Sequence, residues 1–388
     1  MVAASGLALA AAGAVAPVVA RADRTGLEGI PAYQHVFVVI EENESFATTF
    51  GPQSPAKYLN QLAQTGAFAD QYYGTGHVSL DNYIAMVSGQ SGNPATYSDC
   101  AAVSLWECVQ PQDAIAGGRH LGDQLDAAAV TWKEYADGTT QPCVHDTYDP
   151  TSPQPDRYQG NGGTPAGNGA GPDYADRHNP FLYFSDVIGN PARCAAHERP
   201  FTELAGDIAA DTVPGFSFIT PDTCHDGHDS PCSGGGPGGL VSADAWLSAQ
   251  LPAVLDYASA HDGLVIVTFD EGSPTGDDSG CCHGGPGGQQ GFGGRVGLIA
   301  LGPGVNAGQT VHTAYDHASL LRTLEDSFGI SEHLNNAANS AAMADLFAPA
   351  TTVPDGVAGV PALLALAVPA ALAAGLWRRR RARAEAAG

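Results

Sequence analysis

The segment Gly74-Thr-Gly-His-Val-Ser-Leu-Asp-Asn-Tyr-Ile-Ala-Met-Val-Ser-Gly89 sets Ser79 at the start of an apolar run. A serine at a helix N-terminus faces unpaired backbone N–H groups and the positive end of the helix dipole, a setting that attracts phosphate. A metal ion on its oxygen would lower the hydroxyl pKa and make it a nucleophile. A plain N-cap is the commoner use of such a serine. Two further runs end in acidic residues: 35–40 passes into Glu41-Glu42-Asn43, and 263–269 passes into Asp270-Glu271. Carboxylates brought to one edge by two strands could build an oxygen-rich site for a divalent cation. The piece Cys224-His225-Asp226-Gly227-His228-Asp229 is dense in titratable groups, and Tyr315-Asp316-His317 precedes a final helical pattern.

These residues need a scaffold that presents them together. The run His35-Val-Phe-Val-Val-Ile40 is continuously apolar, which predicts a strand buried on both faces. The segments 263–269 and 295–301 predict two more such strands, and 214–220 and 130–135 a further two. Helices are expected over 55–66, 79–88 (with Ser79 at the N-cap), 119–129, 241–260 and 316–328. Alternating strands and helices predict an α/β fold, a mostly parallel central sheet with helices on both faces. In such sheets ligands bind at the carboxyl ends of the strands, where the acidic residues lie. The Gly-rich stretches 160–171, 233–239 and 284–294 read as loops.

Composition narrows the function. The chain has 388 residues, 44% of them hydrophobic, enough for a substantial core. Its net charge of −25 excludes a nucleic-acid binder, which needs Lys and Arg for the phosphates. A phosphate-bearing substrate stays compatible if a metal supplies local positive charge. Residues 1–22 read as a signal peptide ending in Ala20-Arg21-Ala22. The uncharged span 356–377 precedes Arg378 to Arg381 and reads as a transmembrane helix with a basic cytoplasmic tail, 378–388. That places an ectodomain, 23–347, and a linker, 348–355, at the cell surface. Outside the cytosol the eight cysteines should be oxidised. Cys224 with Cys232 and Cys281 with Cys282 are locally plausible pairs; Cys100, Cys108, Cys143 and Cys194 could pair in more than one way.

The ordered segments resemble the bacterial phosphoesterase family that holds phospholipases C and secreted acid phosphatases, built on an alkaline-phosphatase-like fold. Val39-Ile-Glu-Glu-Asn-Glu-Ser-Phe46 is similar to its Glu-Asn-x-Ser motif, and Gly76-His-Val-Ser-Leu-Asp-Asn-Tyr83 to its nucleophile turn. Tyr174-Ala-Asp-Arg-His-Asn-Pro-Phe181, Thr220 to Asp229, Val267-Thr-Phe-Asp-Glu271 and Tyr315 to Gly329 resemble its remaining motifs in order. The resemblance implies that Ser79 is the nucleophile and that Glu42, Asn43, Asp270 and Glu271 hold a divalent metal with the Ser79 oxygen. Mg, Ca or Mn suits the oxygen donors, and nearby histidines allow Zn. It also implies that Asn82 binds a phosphoryl oxygen, with His77, His178 and Asp226 lining the phosphate. His228 and His317 would assist proton transfer. Val78 and Asp81 depart from the pattern, standing where the family often has Pro, and His225 stands where it often has Asn. The expected activity is a metal-dependent acid phosphatase acting through a phosphoseryl intermediate, possible substrates including phosphoinositides and other phospholipids. A phospholipase C-type phosphodiesterase is the nearest alternative, and a non-catalytic surface-binding ectodomain the rival of another class.

Overall fold

A computed structural model describes residues 25–99, 108–110, 119–145, 171, 173–273, 277–283 and 293–349. The signal peptide, the membrane span and its tail, most of the linker and much of two Gly-rich stretches lie outside the described residues. Among the described residues no helix is long and apolar enough to cross a membrane.

The continuous apolar run becomes β1 (His35–Glu41), with Val36 to Ile40 fully buried. The other strands of the main sheet are β2 (Ala67–Ala69), β4 (Trp132–Ala136), β5 (Glu198–Pro200), β6 (Phe216–Thr220), β7 (Gly263–Phe269), β8 (Leu298–Leu301) and β9 (Thr310–Val311). Two more, β3 (Tyr72–Tyr73) and β10 (Tyr315–Asp316), pair parallel as a small second sheet. The main order is β5-β4-β6-β1-β7-β8-β2-β9. All its pairings are parallel except those of β8, which runs antiparallel to β7 and β2.

Register shows how both faces are covered. Val36 and Val38 of β1 sit beside Phe216 and Phe218 of β6, so these four share a face. On that face Phe218 meets Tyr83 of the helix Ser79–Ser88, and Phe216 meets Phe328 just beyond the helix His317–Ser327. Phe37 points to the opposite face and meets Tyr257 of the long helix Gly239–Ala260. Helices therefore lie on both faces, as expected. One register pair is unusual: Glu134 of β4 lies beside Glu198 of β5, and both are buried.

The bridges Cys143–Cys194, Cys224–Cys232 and Cys281–Cys282 are formed. The first resolves one ambiguity left by the sequence. Cys108 is also disulfide-bonded.

Candidate active site

Ser79 is the first residue of its helix, not the cap. Val78, in extended conformation, occupies the N-cap position and makes no side-chain cap bond. The serine hydroxyl is thereby free of capping duty, and Oγ donates to Glu42 Oε2 at 3.1 Å. The helix end is served instead by Asp99, whose Oδ1 accepts the Leu80 N–H at 2.9 Å.

The preceding turn is held by Asn82. Its Oδ1 accepts from the Thr75 N–H at 2.7 Å, the Thr75 hydroxyl at 2.9 Å and the Gly76 N–H at 3.2 Å. The two hydrogens on its Nδ2 are shared among Gly76 O at 2.9 Å, Val78 O at 3.1 Å and Glu271 Oε2 at 3.1 Å. Every polar site on this buried amide is used. Asn82, expected to bind a phosphoryl oxygen, ties together the turn that precedes Ser79. Gly76 is required by packing: a Cβ there would stand 2.4 Å from Asp81 Oδ2.

Parallel pairing brings the carboxylates together. Glu41 is in register with Phe269, so the next residues, Glu42 and Asp270, leave the sheet side by side. Asp270 Oδ1 accepts N–H bonds from Asn43 at 3.2 Å and Glu271 at 2.5 Å. Asn43 takes a left-handed backbone, φ 58°, which asparagine tolerates well. From the loop after β6 comes Asp226, whose Oδ1 accepts the His228 N–H at 2.8 Å. Burial pushes the Glu42 carboxyl well above the usual range, and the neighbouring Asp270 charge adds to it. Burial does the same to Asp270, reinforced by Glu271, and to Asp226, reinforced by Glu42.

His178 lies between these groups. Nε2 is 3.1 Å from Glu42 Oε1 and Nδ1 is 3.2 Å from Asp226 Oδ2, and neither contact has hydrogen-bond geometry. Its ring stacks on Tyr83 with centroids 5.1 Å apart. Burial holds the imidazole neutral, well below its ordinary pKa. His77 is partly exposed; Nε2 meets Asp277 O at 3.1 Å, and Nδ1 stands 4.0 Å from Glu271 Oε2.

Two expected proton-transfer histidines are engaged elsewhere. His317 Nε2–H donates to the backbone carbonyl of Asp270 at 2.6 Å, which fixes the tautomer. Nδ1 then accepts from the Tyr72 hydroxyl at 2.9 Å. The ring is fully buried, and burial lowers its pKa to about 4. His317 is therefore a strut beneath Asp270. His228 Nδ1 contacts Asp229 Oδ1 at 2.8 Å, and Nε2 accepts from Arg177 Nη2 at 3.2 Å. His225 turns away from the cluster to Asp222, at 2.6 Å.

The donor set fits a divalent cation. Glu42 Oε1, Asn43 Oδ1, Asp226 Oδ2, Asp270 Oδ2 and both His178 nitrogens are buried without hydrogen-bond partners. Orphaned buried oxygens of this kind are costly unless a cation satisfies them. Two tighter donor groups occur elsewhere, Asp222–Cys224–His225 and His120–Asp123–Asp186. In the first, Cys224 is consumed by its disulfide. In the second, Arg193 already pairs with Asp123 and Asp186. The strand-end cluster is the better cation site on chemical grounds.

Sequence reading missed Arg177 and Asp99. Arg177 lies inside the Tyr174–Phe181 segment, a basic residue in a strongly acidic chain. Asp99 gave no signal, because its role depends on a contact made by a distant loop.

The model of the Phosphoesterase family matches residues 52–331. The chain belongs to this family. A phosphatidylinositol-3-phosphatase of Mycobacterium tuberculosis is 27% identical over 303 residues, covering 78% of this chain and 79% of that one. A probable acid phosphatase of Kluyveromyces lactis is 27% identical over 327 residues; the match takes in 83% of this chain and 64% of the yeast protein. Among solved structures, an alkaline phosphatase superfamily protein from Vibrio parahaemolyticus aligns with a TM-score of 0.48 and 11% identity, covering 82% of this chain and 72% of that one. As a member of the Phosphoesterase family the chain is a hydrolase of phosphoric esters, as its motifs led one to expect.

Proposed function

We propose that this hydrolase is a metal-dependent phosphomonoesterase of the acid phosphatase kind, with Ser79 as nucleophile. The observation that carries the proposal is the Ser79 hydroxyl donating to Glu42 inside a cluster of buried carboxylates, in which Glu42, Asp226 and Asp270 each keep one oxygen without a hydrogen-bond partner. Glu42, Asn43, Asp270 and Glu271, with the Ser79 oxygen, would hold the ion: Mg, Ca or Mn, with Zn allowed by His178. Bound there, it supplies Lewis-acid polarisation of the phosphoryl group and lowers the serine pKa. Ser79 Oγ attacks phosphorus in line, the alcohol leaves, and water then cleaves the phosphoseryl ester. Glu42, to which the hydroxyl already donates, would accept its proton. His77, protonated, would hand a proton to the leaving alcohol: its ring is partly exposed, and its Nδ1 lacks a hydrogen-bond partner and stands 4.0 Å from Glu271 Oε2. The name of the mycobacterial relative makes phosphoinositides a substrate class to try. The strongly acidic composition disfavours unaided attack on diesters in an anionic bilayer.

The test compares p-nitrophenyl phosphate, p-nitrophenyl phosphocholine and phosphoinositides as substrates. The expected outcome is a kcat/KM for p-nitrophenyl phosphate about tenfold or more above that for the phosphocholine diester, or roughly 1.4 kcal/mol of transition-state preference. A clear preference for the diester would instead assign a phospholipase C-type activity.

A further inference from the structure

A buried site this rich in carboxylates must still admit an anion. Among the described residues the Lys and Arg side chains other than Arg177 are engaged away from the cluster. Arg119 meets Glu332, Lys133 meets Asp207, Arg193 meets Asp123, Arg199 meets Glu203, Arg295 meets Asp70 and Arg322 meets Glu28. Lys57 bonds the Ser54 carbonyl. Arg177 is different. It is 2% exposed, it precedes His178 in the chain, and its charge acts on Glu42, Asp226 and His178.

Arg177 is also held from two sides. Nη2 donates to His228 Nε2 at 3.2 Å, and His228 is in turn fixed by Asp229. Nε stands 4.0 Å from Asp99 Oδ2. The other oxygen of Asp99 accepts the Leu80 N–H, one residue past Ser79. A single carboxylate therefore links the guanidinium to the N-terminus of the nucleophile helix.

We propose that Arg177 determines specificity by binding the non-bridging oxygens of a phosphomonoester, and that Asp99 is the positioning residue that sets its distance from Ser79. The inference rests on the proposed phosphomonoesterase reading. A guanidinium presents a planar fork that matches two oxygens of a phosphoryl group. A monoester dianion offers three non-bridging oxygens and two charges; a diester offers two such oxygens and one charge. Loss of the fork must therefore harm monoester turnover more than diester turnover.

Arg177→Ala, Arg177→Lys and Asp99→Asn are compared with the wild type in kcat and KM on p-nitrophenyl phosphate and bis(p-nitrophenyl) phosphate. Binding of inorganic phosphate is measured calorimetrically, and Tm is recorded for each variant. Asparagine at position 99 keeps an oxygen for the Leu80 N–H and removes the charge facing Arg177, so its Tm should hold. Expected are a loss of about 100-fold in monoester kcat/KM for Arg177→Ala, under tenfold loss on the diester, and partial recovery in Arg177→Lys. Asp99→Asn should lose about tenfold on the monoester, with weaker phosphate binding. Equal losses on both esters, or unchanged phosphate binding in Arg177→Ala, would overturn the assignment. If Arg177→Ala fails to fold, the Lys and Asn variants decide by the same ratio. A wild type that turns over only the diester would overturn the specificity assignment together with the phosphomonoesterase reading, whereas a monoesterase that keeps full phosphate binding in Arg177→Ala would overturn the assignment alone.

Discussion

Side chains with the same apparent chemistry divide sharply by their partners. Ser79, Asn82, His228 and His317 all sit in motif segments, yet Ser79 turns its hydroxyl to Glu42, Asn82 spends its amide on the turn and on Glu271, and both histidines are held by other partners. The types and order of these residues were legible in the sequence. Their saturation was not, because hydrogen bonds such as His317 to Asp270 join residues 47 positions apart. Ser79→Ala should lower kcat by at least about 1,000-fold with Tm little changed, measured on p-nitrophenyl phosphate; activity within tenfold of wild type would remove Ser79 from the mechanism. His317→Asn should behave otherwise. It withdraws the ring beneath the Asp270 carbonyl and strands the Tyr72 hydroxyl in the core. A buried unsatisfied group costs about 1–3 kcal/mol, so a fall in Tm should accompany the loss of activity. A variant with wild-type Tm and a shifted pH profile would restore His317 to proton transfer.

At the level of strands and helices, the long apolar runs announced themselves and the short pieces did not. β1, β7 and the helices around 79–88 and 317–327 match their expected spans to within a few residues. β2, β3, β9 and β10, of two or three residues each, are too short to show a period. Nor does the sequence reveal that Glu134 faces inward, because Trp-Lys-Glu-Tyr-Ala gives no clean alternation. The Glu134–Glu198 pair makes its own prediction. Burial drives Glu134 well above its ordinary pKa, with the Glu198 charge adding to it, and burial drives Glu198 to about 8. Near pH 5 the folded pair retains protons that the unfolded chain has begun to release above its carboxyl pKa of about 4.5. The stabilisation is complete below that value and fades as pH rises toward about 8. Tm should therefore fall between pH 5 and pH 8. In Glu134→Gln, where an amide replaces one ionisable partner, the fall should be shallower. An unchanged slope would show that other groups set the alkaline loss.

For the whole molecule, the charge balance, the cysteine count and the family were open to reading from the chain, while the attachment to a membrane remains a proposal drawn from residues 356–388. Deleting that segment should leave a protein that stays out of the membrane fraction and keeps wild-type kcat/KM on p-nitrophenyl phosphate. Retention in the membrane fraction after signal removal would refute the anchor.

The orphaned donors at the strand ends also bear on how the ion can be identified. Glu42, Asp226 and Asp270 come from segments far apart in sequence, so the unfolded chain has no comparable cluster. An ion that binds only the native form shifts the melting equilibrium by mass action, about 2.7 kcal/mol at a free concentration of 100 times its Kd. Calorimetric scans across Mg, Ca, Mn and Zn would then rank the cations without any substrate, even in a Ser79→Ala protein that turns nothing over.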